Sequence, residues 1–138
     1  DPGYRIVREA INNDIEIVSV PGASAVLSAL VSSGIPTDRF LFEGFLPTKK
    51  GRLKRIERVK DFDGTLIYYE SPYRLVKSLK QFSEILGNRP AVVARELTKI
   101  HEEIKRGSLI ELLSFYSKKK VKGECVILIG KDDENVYF

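Results

Sequence analysis

Apolar residues along this chain fall into two patterns, one recurring every three to four positions and one forming short unbroken runs, and their alternation predicts the elements. Residues 4–12 place Ile6, Val7, Ala10 and Ile11 at helical spacing, and Asn12-Asn13-Asp14 closes that helix. Residues 15–20 predict a short strand ended by Pro21-Gly22. Residues 23–33, small and apolar, predict a helix stopped by Gly34 and Pro36. A strand over 40–45 leads through Leu46-Pro47-Thr48 into a basic helix with Leu53, Ile56 and Val59 as a narrow apolar stripe. A strand over 65–69 precedes a helix in which Ser71 is the expected cap and Pro72 the first residue; Leu75, Val76, Leu79, Phe82, Ile85 and Leu86 form its buried stripe, and Gly87 ends it. Residues 91–95 and 102–106 read as neighbouring strands. Ser108-Leu109-Ile110-Glu111 is a capping box opening a helix over 109–116, and 123–129 is the last strand. Residues 131–138 carry no pattern and read as a loose tail. Strands and helices alternating in this way predict an α/β fold, a mixed sheet of about five strands flanked by helices.

Two of the strands end in charge. Ala94-Arg95-Glu96-Leu97-Thr98-Lys99-Ile100-His101-Glu102-Glu103 packs six ionisable side chains into ten residues, and the run 65–69 ends in Glu70-Ser71-Pro72-Tyr73-Arg74. Ligands of open α/β sheets bind at the carboxyl ends of strands, so the two clusters are expected to share one cleft. Tyr73 and Arg74 fall in the first turn of the expected helix, where free N–H groups favour anions, and an Arg beside an aromatic suits a phosphate or a stacked base.

Composition narrows the class without naming a function. With 138 residues, 43% of them hydrophobic and 30% charged, the chain can build one hydrophobic core. No apolar run approaches the ~18 residues that span a bilayer. The single Cys125 excludes an internal disulfide framework and a cysteine zinc site, and with no visible signal peptide this points to a reducing cytoplasm. The chain has no Met and opens on the turn signal Pro2-Gly3, so it reads as a fragment lacking an N-terminal part.

Net charge is +4, but residues 49–60 hold seven basic side chains (Lys49, Lys50, Arg52, Lys54, Arg55, Arg58, Lys60) against Glu57 alone, which leaves the remainder at −2. A solvated helix face usually mixes signs at i±4, so this segment is read as facing a polyanion, with nucleic acid ahead of plain solvent exposure. One His gives no metal site, and no Gly-x-Ser-x-Gly, phosphate loop or Gly-x-Gly-x-x-Gly occurs. What remains is a cleft with carboxylates (Glu70, Glu96, Glu102, Glu103), cations (Arg74, Arg95, Lys99) and Tyr68 and Tyr69, able to hold a cationic or zwitterionic cofactor near an RNA strand.

Four stretches in order, Pro21-Gly22-Ala23-Ser24-Ala25, Phe42-Glu43-Gly44-Phe45-Leu46-Pro47, Tyr69-Glu70-Ser71-Pro72-Tyr73-Arg74 and the charged run from Ala94, resemble the ribosomal small-subunit methyltransferase I family, within the tetrapyrrole-methylase-like class. The resemblance covers roughly residues 1–130. It implies an S-adenosylmethionine-dependent enzyme that methylates a cytidine ribose 2′-hydroxyl of small-subunit ribosomal RNA as a homodimer. Asp1-Pro2-Gly3 resembles the end of a family loop, so residues 1–20 are expected to be the remnant of a cofactor-binding domain, 21–131 the C-terminal α/β domain and 132–138 a tail. Pro21, Ser24, Ala25, Tyr69, Glu70, Leu97 and Thr98 are the implied cofactor neighbours. Glu70 or Glu96 is the implied base, with Arg95 and Lys99 stabilising charge, although Arg95–Glu96 serves equally as a structural ion pair. Lys49, Lys50, Arg52, Arg55, Arg58, Tyr73 and Arg74 are the expected RNA contacts. Tyr73 stands where many members have His, which argues against an essential imidazole there. Two other readings remain: a non-catalytic RNA-binding or dimerisation module, and a small-molecule tetrapyrrole methylase, which the basic helix and Arg-Glu-Leu-Thr-Lys disfavour.

Overall fold

Residues 3–138 are described by a computed structural model; Asp1 and Pro2 lie outside the described residues, and Gly3, the second residue of the expected opening turn, begins the first helix. In chain order the elements are α1 (Gly3–Asn12), α2 (Ala25–Ser33), β1 (Phe40–Phe45), α3 (Arg52–Glu57), β2 (Thr65–Glu70), α4 (Leu75–Leu86), β3 (Pro90–Arg95), β4 (Glu103–Ser108), α5 (Leu109–Ser117) and β5 (Cys125–Ile129). The strands form one mixed sheet in the order β1-β2-β5-β3-β4. β1 and β2 run parallel, and β5 runs antiparallel to both of its neighbours, β2 and β3.

Side chains alternate across the sheet and build two cores. On one face Ile67, Val92, Ala94, Val126 and Leu128 pack with Ala29, Leu30 and Ile35 in and just after α2. On the other, Leu66, Tyr68, Ala91, Val93, Ile127 and Ile129 pack with Leu75, Leu79 and Phe82 of α4 and Leu109, Leu112 and Tyr116 of α5. β5 is buried along its whole length, which is why its sequence is an unbroken apolar run rather than an alternating one.

Local chemistry sets the helix ends. The Ser24 hydroxyl accepts from the Leu27 N–H at the start of α2, and Gly34, at φ 83°, turns the chain out at its end. Arg106 of β4 donates to the carbonyls of Ser33 and Ser32, satisfying two C-terminal acceptors that the helix leaves open. The capping box at α5 is complete: the Glu111 N–H donates to Ser108 Oγ and the Ser108 N–H to the Glu111 carboxylate.

Four local expectations are corrected. Residues 15–20 form no strand and are exposed; an apolar run becomes a strand only where a neighbouring backbone pairs with it, and the described residues offer none here. Ser71 does not cap α4. The Arg74 N–H donates to its carbonyl in a preceding turn, and the helix starts at Leu75. The basic helix is only six residues long, with Ile56 buried, Leu53 half exposed and Arg52 turned inward; the buried Val59 lies in the turns that follow it. The tail is not loose: Val136 packs on the α2-side core, and the Tyr137 hydroxyl lies within hydrogen-bonding distance of the Asn88 carbonyl and of Asp132.

Replacing the Ser108 hydroxyl removes one arm of the capping box and leaves a first-turn N–H without its partner. Ser108→Ala is expected to cost about 1 kcal/mol, read as a lower urea midpoint at an unchanged denaturant slope.

Candidate functional site

The ends of three strands meet in register: Glu70 of β2 pairs with Cys125 of β5, which pairs on its other side with Arg95 of β3. Both charged clusters therefore lie at one end of the sheet. A cavity of about 710 Å³ opens there, lined by Ala25, Phe45, Tyr69, Glu70, Ser71, Pro72, Glu96, Lys99, Gly123, Glu124, Cys125 and Val126. Its wall is mostly apolar, with the Tyr69 ring held edge-on by Phe42 and Phe45 at 4.9 and 5.5 Å between centroids.

Glu70 is buried, and both of its oxygens are occupied. Oε1 accepts from the Ser71 N–H (2.8 Å) and Arg74 Nε (2.9 Å), and Oε2 from Arg52 Nη2 (2.9 Å) and the Ser78 hydroxyl (2.6 Å). Burial pushes its pKa up, but the bonds from Ser78, Arg52, Ser71 and Arg74 outweigh it and hold the carboxyl below the usual range. Arg52 is itself 3% exposed, its Nε donating to Gln81 and its Nη1 to the Pro47 carbonyl. Taking up a proton would oblige Glu70 to give up one of these donors, which counts against it as a general base.

Glu96 adopts φ 48°, uncommon for a residue with a side chain. Its Oε1 accepts from the Glu124 N–H (2.9 Å) and from Lys99 Nζ (3.1 Å), and both bonds lower its pKa. Lys99 is drawn up in turn by Glu124 first and Glu96 second. Gly123 makes this arrangement possible. It sits at φ 83°, and a Cβ there would run into the Glu96 carboxyl group.

The expected site residues thus separate by position. Ala25, Tyr69, Glu70, Glu96 and Lys99 line the cavity; Pro21, Ser24, Leu97, Thr98 and Arg95 do not. Pro21 is exposed, Ser24 caps α2, Leu97 packs on the α2-side core, and the Thr98 N–H donates to Glu102. Arg95 donates to Glu103 (3.0 Å) and to the Lys122 carbonyl, and the Tyr116 hydroxyl completes that set on Glu103 at 2.8 Å. Of the expected RNA contacts, Lys49, Lys50, Arg58 and Tyr73 are exposed, Arg55 is paired with Glu43 at 2.7 Å, and Arg74 is bound to Glu70. Arg52 is withdrawn from that face, because its guanidinium is the buried counter-charge of Glu70. Gly123 and Glu124 had no motif to mark them, although a glycine just before the last strand was the available signal. The Cys125 thiol, pushed up to about 12 by burial, is unreactive packing.

A sequence profile for the family described as Tetrapyrrole (Corrin/Porphyrin) Methylases matches residues 1–113. Among curated relatives, the "Ribosomal RNA small subunit methyltransferase I" of Mesorhizobium japonicum is 50% identical over 133 residues, covering 94% of this chain and 45% of its own length. The protein of that name from Thermotoga maritima is 44% identical over 133 residues, covering 96% of this chain and 60% of its own. The chain therefore spans about half the length of the curated relatives it matches. Solved structures share the fold. Uroporphyrin-III C-methyl transferase from Thermus thermophilus, complexed with S-adenyl homocysteine, superposes with a TM-score of 0.60 at 20% identity, over 93% of this chain and 58% of that one. A diphthine synthase gives 0.69 at 15% identity, over 93% and 53%.

Two substitutions test this geometry. Glu70→Gln leaves Arg52 buried without a counter-charge and is expected to cost about 3–5 kcal/mol. Because the folded carboxyl titrates below its ordinary 4.5, its contribution is full above that pH and is lost as pH falls through it toward the lower folded value. The urea-midpoint difference between wild type and Glu70→Gln should accordingly shrink on acidification below that pH. Gly123→Ala, strained in the left-handed region and blocked by Glu96, is expected to cost at least about 1 kcal/mol and to shift the amide signals of residues 96–99 in NMR spectra.

Proposed function

The chain belongs to the tetrapyrrole (corrin/porphyrin) methylase family, and we infer that it is part of an S-adenosylmethionine-dependent methyltransferase acting on a cytidine ribose 2′-hydroxyl of small-subunit ribosomal RNA. The observation that carries this reading is the cavity at the joined ends of β2, β5 and β3, to whose lining all four stretches that bear the family resemblance contribute. The names of the curated relatives favour ribosomal RNA over a small tetrapyrrole, as do the exposed cations Lys49, Lys50 and Arg58. In this reading residues 21–131 are the C-terminal α/β domain, residues 1–20 belong with a cofactor-binding domain, and the whole enzyme works in the cytoplasm as a homodimer.

The residues present fit the cofactor. An apolar wall of Ala25, Phe45, Tyr69 and Val126 with a few charged groups at one side suits a molecule with a flat ring system and a zwitterionic tail. Tyr69 and Ala25 would hold the ring, and the Glu96, Lys99 and Glu124 group would face the tail. When bound, the cofactor supplies an electrophilic methyl group. This chain's contribution is positional: the four donors on Glu70 fix the lip of the cavity, and the bonds around Glu96 fix the β3–β4 loop opposite. Neither carboxylate is poised to take a proton at neutral pH, since bonds to each favour its charged form. That same fact favours the second reading, in which this part of the chain binds and positions RNA without acting as acid or base.

Titration calorimetry of the 138-residue chain with S-adenosylmethionine is expected to show weak or no binding, because the chain spans only about half the length of its curated relatives; micromolar affinity would refute that expectation. Binding to a short oligoribonucleotide should fall steeply with salt and weaken when Lys49, Lys50 and Arg58 are together replaced by Glu. An affinity indifferent to both would remove the RNA reading.

A further inference from the structure

We propose that the connection between α5 and β5 carries a second phosphate-binding surface for RNA, formed by Lys118, Lys119, Lys120 and Lys122 with Lys105 of β4; this rests on the reading of the protein as RNA-binding. All five side chains are exposed, and among the described residues none of them is in an ion pair. The cations nearer the cavity are differently placed: Arg52, Arg74, Arg95 and Lys99 all face carboxylates. One lysine after a helix is accounted for by the dipole of α5, an effect confined to the last turn. Four in five positions, with no acid among them and none in an ion pair, repel one another in the free protein and are relieved by a polyanion.

The cluster is also held in place. Lys119 Nζ lies 3.8 Å and Lys105 Nζ 4.6 Å from the centroid of the Phe115 ring, so one aromatic anchors two ammonium groups that long side chains would otherwise leave free. The backbone is pinned from the cavity side, because the Arg95 guanidinium donates to the Lys122 carbonyl and the Glu124 N–H to Glu96. Cations ordered before binding lose less side-chain entropy on meeting phosphates.

Position selects RNA as the partner. The connection enters β5 at Cys125, in register with Glu70 and Arg95, so the lysines stand at the cavity end of the sheet. Lys49 and Lys50 lie in the loop that leaves β1 at that same end. An RNA strand presented to the cavity would therefore meet cations from both loops. A lipid surface fits less well: among the described residues no large hydrophobic between Ile110 and Tyr137 is exposed to enter it.

The test is fluorescence anisotropy of a labelled 20-nucleotide single-stranded RNA of mixed sequence with the 138-residue chain, from 50 to 300 mM KCl. Each single-strand phosphate contact adds about 0.7 to the logarithmic salt slope, so the quadruple variant K118Q/K119Q/K120Q/K122Q is expected to lower the slope by roughly 2–3 and weaken binding at least about ten-fold at 100 mM. Its thermal unfolding should match wild type, since the four side chains are exposed. If the variant keeps wild-type affinity and slope while K49E/K50E/R58E loses both, the RNA reading stands and this surface is overturned. Wild-type binding without salt dependence overturns both. Loss of binding to phosphatidylserine vesicles with RNA affinity unchanged overturns it in favour of a membrane.

Discussion

A carboxylate removed from water has to be neutralised where it lies, and the candidate site is arranged around that requirement at Glu70. Its four donors come from separate parts of the chain: Arg52 at the start of α3, Ser71 just after β2, and Arg74 and Ser78 at the start of α4. The mutual attraction of Arg52 and Glu70 has to offset the dehydration of both ions, and it does so only while every remaining lone pair and N–H is also occupied. Arg52 meets that condition through Gln81 and Pro47. The buried pair thus fixes how α3 and α4 sit against the end of β2, which in turn sets the lip of the cavity.

The opposite wall follows the same logic with less burial. Glu96 and Thr98 both have positive φ, a conformation that costs energy for residues with side chains and persists where surrounding bonds over-determine it. Here the Glu124 N–H, Lys99 and Glu102 supply those bonds, and Gly123 leaves the space for them. Both carboxylates that sequence reasoning put forward for chemistry are therefore fastened in place. The site is better built for holding than for proton transfer.

How much of this the residues announced depends on the range of the interaction. The capping box at Ser108, the stop at Gly34 and the continuous apolar run of β5 depend on neighbours a few positions away or on a burial pattern, and they were legible. So was the meeting of the two charged strand ends, which follows from strand direction in an α/β sheet. Arg52 was not. Nothing within its own helix distinguishes it from Lys54 or Arg58, and its role comes from Glu70 and Gln81, 18 and 29 positions away. Residues 15–20 failed in the opposite way: their composition suits a strand, but pairing is a property of what lies alongside. The tail escaped notice because Val136 and Tyr137 act singly, without a period.

The place of β5 has a consequence for biosynthesis. β2 and β3 are not hydrogen-bonded to each other; the strand that joins them, β5, is the last of the five in sequence among the described residues. During translation the β1–β2 pair and the β3–β4 hairpin emerge first, and the β2 and β3 edges that β5 joins stay open until residues 125–129 leave the ribosome. Nascent chains of this protein pass through an interval in which two adhesive half-sheets wait for a common partner, and that interval is when a chaperone would matter most.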